Sequence, residues 1–354
     1  MTALLLAACS AEPMANPTNS GPPPGLAAEN PGTRDLRPLY RAEVCARLSA
    51  DAQACDAVLR RLPDEGPAKP LRAPTHLPSR YRVALVPGLF AECLEGVVRP
   101  FADVEHDLRQ AGFVVHYLPV FGRGSTVENA GRLARELSTL GGDARPLVVF
   151  AHSKGLADIL EFVVRYPEGA RAIAAVVGVA GAASGSPLAD ELYPVYRDWI
   201  SGLPLPGCKS GTGDELRDLK RDVRLAWWQR YRPALTIPVF SIVAAPREEQ
   251  VSPILRVPYR KLARIDPRND GQLLWHDQIA PGGYLLGYVD ADHWGIVMPL
   301  SQTLPMAAAV VYDSVPRTTL VIAALAVVHR VLAGAPTSST GRDRRSGLNG
   351  SPGR

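Results

Sequence analysis

The sequence has almost no net charge. Its 39 lysines and arginines stand against 35 aspartates and glutamates, a formal +4 at neutral pH, and no long basic stripe collects in one stretch. That argues against nucleic acid as the main partner, because tracking phosphates needs a concentrated basic surface. Long hydrophobic runs are missing too. The apolar stretch from Thr318 to Leu332 is too short and too interrupted upstream to span a bilayer, and reads as a last helix packed on a core. No set of side chains has metal-ligand spacing: His276 beside Asp277 lacks further ligands. Neither a metal nor another cofactor is expected. Gly122-Arg123-Gly124 is only a fragment of a dinucleotide fingerprint, since the remaining G-x-x-G spacing fails and no acidic residue ends a following strand at the expected distance.

What is present is the composition of a globular protein, with 354 residues, 46% hydrophobic and 21% charged, enough for one large core or two smaller ones. The stretch from Leu147 to Tyr166 organises the rest. Leu147-Val148-Val149-Phe150 is a continuous apolar run that suits a strand buried on both faces. Ala151-His152-Ser153-Lys154-Gly155 follows, and then Leu156, Ile159, Leu160, Val163 and Val164 recur at helical spacing. Strand, five-residue turn and helix make a nucleophile elbow, which lifts one side chain onto the sheet edge beside the free N–H groups of a helix start. Ser153 is therefore the candidate nucleophile. A serine between strand and helix can also be a plain N-cap, so partners in the right order have to decide.

Those partners are present. Arg82 to Val86 is a short β run that breaks into Pro87-Gly88-Leu89-Phe90, as an oxyanion loop would. The chemistry wants backbone N–H groups aimed at a carbonyl oxygen as it gains charge, and the N–H groups of Leu89 and Lys154 are the candidate donors. A strand is expected over Phe113 to Val120 and helices over Val97 to Leu108 and Thr126 to Leu140. Further strands are expected over Ala172 to Val179, Pro238 to Ala244 and Tyr284 to Val289. This alternation indicates a mainly parallel central sheet flanked by helices. The long loop Ala245 to Gly283 is where a triad acid belongs. Asp270, in the turn-forming Asn269-Asp270-Gly271, is the first choice and Asp277 the runner-up. His293 lies just beyond the last strand, where α/β sheets place their sites, and completes the order Ser153, Asp270, His293. Asp292 is too near in sequence to orient His293 and is expected to fix the loop.

At the start, Leu4 to Ala8 followed by Cys9 resembles a bacterial lipobox, although no lysine or arginine precedes it. A lipid on Cys9 would anchor the chain to a membrane without spanning it. Residues 1–33 then read as signal and tether, 34–79 as a helical extension, 80–333 as the main domain and 334–354 as a disordered tail. Within the main domain, residues 187–233 read as a helical cap insertion, a lid or acyl pocket in one reading and a packing excursion with core tryptophans in the other. Four cysteines remain, Cys45, Cys55, Cys93 and Cys208. In an exported chain they suggest two disulfides, most simply Cys45 with Cys55 and Cys93 with Cys208, although sequence alone allows three connectivities.

Residues of about 80 to 333 resemble the α/β-hydrolase superfamily, nearest to bacterial serine esterases and lipases. The motifs that carry it are Pro87-Gly88-Leu89, Ala151-His152-Ser153-Lys154-Gly155, Asn269-Asp270-Gly271 and Asp292-His293-Trp294. Pro87 and Ala151 depart from the commoner His and Gly. The resemblance implies an α/β-hydrolase fold and cleavage of ester or lipid substrates through a Ser-His-Asp triad and an acyl-enzyme. An acyltransferase using the same intermediate, and a non-catalytic envelope binding protein on this fold, are the alternatives. The lipobox implies an exported envelope lipoprotein, and a cytoplasmic protein if that match is accidental.

Overall fold

Five of the apolar runs line up side by side. In the computed structural model, which describes residues 30–48, 52–67, 76–205 and 207–334, the strands are β1 (Arg34–Asp35), β2 (Leu59–Arg60), β3 (Arg82–Val86), β4 (Val115–Tyr117), β5 (Leu147–His152), β6 (Ile173–Val179), β7 (Val239–Ala244) and β8 (Tyr284–Val289). They form one sheet in the order β1-β8-β7-β6-β5-β3-β4, and β2 also pairs with β8. Every pairing is parallel except β2 with β8. This is the mainly parallel, helix-flanked sheet of the α/β-hydrolase fold. The lipidation site expected at Cys9 lies outside the described residues, as does the tail beyond residue 334.

The main helices are α1 (Arg37–Arg47), α2 (Ala102–Gln110), α3 (Thr126–Ser138), α4 (Lys154–Arg165), α5 (Pro187–Val195), α6 (Arg221–Tyr231), α7 (Arg256–Leu262) and α8 (Arg317–Gly334). Side chains alternate across each strand, and the two faces have separate cores. Val83, Leu85, Val148, Phe150, Val177 and Ile242 pack under α1, α2 and α8. Ala84, Val86, Val149, Ala151 and Val176 pack under α3 and α4. Contrary to the expectation that this stretch is too short, α8 extends to 18 residues and is long and apolar enough to cross a membrane, but Leu320 to Val328 enter the first of these cores. Its apolarity is that of a core helix.

Three differences from expectation have local causes. The helix expected from Val97 starts at Ala102, because Pro100 intervenes and Phe101 turns through a left-handed φ of 62°. The strand expected over Phe113–Val120 pairs with β3 only over Val115–Tyr117. The segment before residue 80, expected to be helical, also contributes β1 and β2, which pair with β8 through two residues each. Both disulfides of the simplest pairing are formed, Cys45–Cys55 and Cys93–Cys208.

The chain passes outward from β3 to β4 and then returns to β5 on the other side of β3. The crevice beyond the carboxyl ends of β3 and β5 is therefore the topological switch point, where open α/β sheets bind ligands. Since Leu325 is fully buried in α8, Leu325→Ala is expected to destabilise the protein by about 2–5 kcal/mol. Urea unfolding should show a lower midpoint at unchanged slope. A loss below roughly 1 kcal/mol would contradict a core position for α8.

Candidate active site

Strand β5 ends at His152 and helix α4 begins at Lys154, so Ser153 alone makes the turn, at φ 50° and ψ −124°. A positive φ with this ψ lies outside the left-handed α well and costs a non-glycine residue on the order of 1–3 kcal/mol, and the surroundings enforce it. The Ser153 N–H donates to Val179 O at 3.3 Å, and the Ser153 carbonyl accepts from Leu156 at 3.1 Å and Ala182 at 3.0 Å. Neighbouring backbone leaves no room to relax. A Cβ on Gly155 would lie 2.4 Å from Pro87 O, and one on Gly88 would lie 2.9 Å from the Cβ of Ser153. The alanine at 151 fits, since its methyl is fully buried in the core under α4.

Three distant side chains meet at this turn. The His293 Nε2 is 2.9 Å from Ser153 Oγ, and its Nδ1 is 2.7 Å from Asp270 Oδ2. Asp270, wholly buried, takes N–H bonds from Gln272 and Leu273 on Oδ1 at 2.8 and 2.7 Å. Gly271, at φ 89°, makes that sharp bend possible. The backbone N–H of His293 also donates to Asp270 O at 3.0 Å, so the His293 loop and the Asp270 turn are fastened twice. Asp277 faces elsewhere: Arg221 approaches its Oδ1 at 3.4 Å and His276 at 3.6 Å. Asp292 accepts N–H bonds from Ser252, Trp294 and Gly295, which fixes the loop of His293 as expected.

The two loops chosen for backbone donors also converge here. Gly88 lies against Ser153, and the next residue, Leu89, packs its side chain among Ala182, Ala189, Leu219 and Leu273. Lys154 opens α4, where helical N–H groups have no partner within the helix.

Four nearby residues besides Lys154 are given no role by the sequence, although His152 lies in the pentapeptide and Arg123 in the Gly122-Arg123-Gly124 fragment. The side chain of Lys154 is buried in an ion pair with Asp158, and Asn129 donates to the same carboxylate at 2.9 Å. Burial raises the Asp158 carboxyl to about 6, with Lys154 and Asn129 pulling the other way. His152, in the variable position of the pentapeptide, donates from Nε2 to His293 O at 3.0 Å, and its Nδ1 is buried without a hydrogen-bond partner. Burial, followed by the nearby His293 ring, holds His152 neutral, its pKa well below the usual 6.5. Arg123 is the fourth. An i,i+4 spacing of Lys154 and Asp158 was the one legible signal among them.

The neutral His152 has a consequence for stability. Below the ordinary histidine pKa of 6.5 the unfolded chain binds a proton that the folded protein refuses. Stability is thus present above that pH and lost as pH falls, by up to about 1.4 kcal/mol per pH unit. Melting temperatures measured between about pH 7.5 and pH 5 should fall less steeply for His152→Gln than for the unaltered protein. Parallel curves would show that His152 does not carry this loss.

No protein-family model matches the chain, and no curated protein sequence matches it. Among solved structures, the metagenomic carboxyl esterase MGS0156 aligns with a TM-score of 0.78 at 33% identity, over 87% of this chain and 95% of that one. The mature lipase BlEst2 of Bacillus licheniformis aligns with a TM-score of 0.51 at 17% identity, over 68% of this chain and 94% of its own, a likeness of fold. With one residue in three shared along nearly the whole of both molecules, this chain belongs to the α/β-hydrolase superfamily, in the same family as that carboxyl esterase.

Proposed function

We propose that the protein is a serine hydrolase that cleaves carboxylic esters through an acyl-enzyme on Ser153. The observation that carries this reading is the unbroken line from Ser153 Oγ through the two ring nitrogens of His293 to Asp270, at 2.9 and 2.7 Å. The kinship with a carboxyl esterase supports the ester as substrate class.

The chemistry follows from that line. Ser153 Oγ bonds to the ester carbonyl carbon while His293 Nε2 takes the hydroxyl proton, and the carbonyl electron pair moves onto oxygen. The N–H groups of Leu89 and Lys154 donate to that oxyanion. His293 then gives its proton to the departing alkoxide, leaving an acyl-enzyme. Water repeats the sequence with His293 again as base, and Ser153 is released with its proton. Asp270 holds the imidazole in the tautomer with hydrogen on Nδ1 and stabilises the imidazolium. Its own orientation is fixed by the Gln272 and Leu273 N–H bonds. Because Ser153, His293 and Asp270 are all nearly or fully buried, water screening is weak and these interactions act at low dielectric.

Purified protein should release p-nitrophenol from p-nitrophenyl esters and be labelled at Ser153 by a fluorophosphonate. Ser153→Ala is expected to abolish labelling and lower kcat by about 10⁴-fold or more, and Asp270→Asn by about 10²–10⁴-fold, with Asp277→Asn close to unaltered. If Asp277→Asn instead silences the enzyme while Asp270→Asn does not, the acid is misassigned. Full activity in Ser153→Ala rejects the acyl-enzyme.

An anchor at Cys9 would hold this activity at an envelope membrane. In a bacterial host that carries out lipid modification, Cys9→Ser should move the protein from the membrane to the soluble fraction. Unaltered partitioning argues against the anchor.

A further inference from the structure

The loop that carries Leu89 does not stand alone. The N–H of Phe90 donates to Gly122 O at 2.8 Å, and the N–H of Gly122 donates to the Glu92 carboxylate at 2.8 Å. Segments 90–92 and 121–122 therefore grip each other at two points. The next residue, Arg123, turns its fully buried guanidinium to the cap. It donates to Leu203 O at 2.7 Å, to Ile200 O at 2.9 Å and to Ser201 O. Glu215, equally buried, lies 3.9 Å from it, and Tyr196 bridges the two, 3.4 Å from Arg123 Nε and donating to Glu215 at 2.7 Å. A second link is covalent: Cys93–Cys208 joins the same loop to the cap. The rings of Phe90 and Tyr196 meet edge to face at 6.3 Å, and Leu89 packs on Ala189 and Leu219.

A charged side chain buried on three backbone carbonyls forms no free surface and contacts no reacting atom. What it joins is the cap on one side and the Gly122–Phe90 grip on the other. We propose that the cap is a brace for the oxyanion loop, in which Arg123 and the Cys93–Cys208 disulfide are positioning elements that keep the Leu89 N–H at the place where the oxyanion forms. The proposal rests on Leu89 being an oxyanion donor to an acyl-enzyme on Ser153. A cap held this way acts on the transition state more than on substrate affinity.

The test compares the full chain with Cys93→Ser/Cys208→Ser, Arg123→Met and Arg123→Lys, using a short p-nitrophenyl ester and measuring melting temperature alongside. Losing one oxyanion donor outright costs about 10²–10³-fold in kcat, so a displaced donor should cost about 10–100-fold with KM within about twofold. Arg123→Lys, which keeps the charge and one donor to the cap carbonyls, should recover part of the loss. If Arg123→Met fails to fold, the cysteine pair decides. A raised KM at unchanged kcat would mean that the cap only shapes the substrate site, and unchanged kinetics that it braces nothing; either overturns the proposal. Fluorophosphonate labelling of the unaltered protein separates the two levels. A protein unlabelled at Ser153 overturns the serine reading together with the brace, whereas a labelled protein with unaffected variants overturns the brace alone.

Discussion

One strained residue sets the terms for the rest of the molecule. Ser153 is held at a positive φ that an L-residue would leave if it could, and it cannot, because carbonyl and amide groups from β6 and the following loop lock its backbone while Gly88 and Gly155 admit loop 87–90 at contact distance. The strain is small against the core that opposes it. Burying a single leucine or phenylalanine contributes about 1.5–3 kcal/mol, and Phe150, Leu156 and Ile159, all within six residues of the turn, are fully buried. The sheet and α4 therefore impose the turn.

The side chains that meet at Ser153 are then oriented by hydrogen bonds to backbone more than by one another. Asp270 accepts two backbone N–H bonds, His293 is fastened through its own N–H and through its carbonyl, and Asp292 ties down the residues that follow. His152 links two of these loops, with its ring against Gly88 and its Nε2 on the His293 carbonyl. In the acyl transfer proposed above, a protonated ring there would confront the imidazolium formed on His293, at a ring separation of 4.8 Å. Burial keeps it neutral, so the base can take up its charge without a like charge beside it.

Much of this was legible in the sequence because it follows local rules. The apolar run 147–150 and the helical spacing from Leu156 define β5 and α4 on either side of the elbow, and Asn269-Asp270-Gly271 marks a bend that exposes a carboxylate to a partner. Choosing Asp270 over Asp277 rested on turn chemistry, and the structure puts Asp270 on His293 while Asp277 is beside Arg221. Less local features were not legible. β1 and β2 are two-residue strands whose pairing is imposed by the edge of β8, not by any apolar pattern of their own. Arg123 sits in a Gly-rich loop that in sequence offers only a fragment of a dinucleotide fingerprint. Its burial depends on carbonyls about 80 residues away in the segment 187–233, which no window of sequence can reveal.

Lys154 shows why such buried charges are kept. Its ion pair with Asp158 lies in the protein interior, where desolvation offsets most of the attraction between the charges. Net stabilisation does not account for it. Orientation does: Asn129 donates to Asp158 at 2.9 Å, accepts the Phe121 N–H at 2.9 Å and so fastens the first turn of α4 to the loop 121–124. The same loop grips Phe90 through Gly122. The two backbone donors proposed for the oxyanion, the N–H groups of Leu89 and Lys154, come from different elements far apart in the chain, yet each is referred to one short loop. A change in that loop would reach both, through Gly122 on Phe90 and through Asn129 on Asp158.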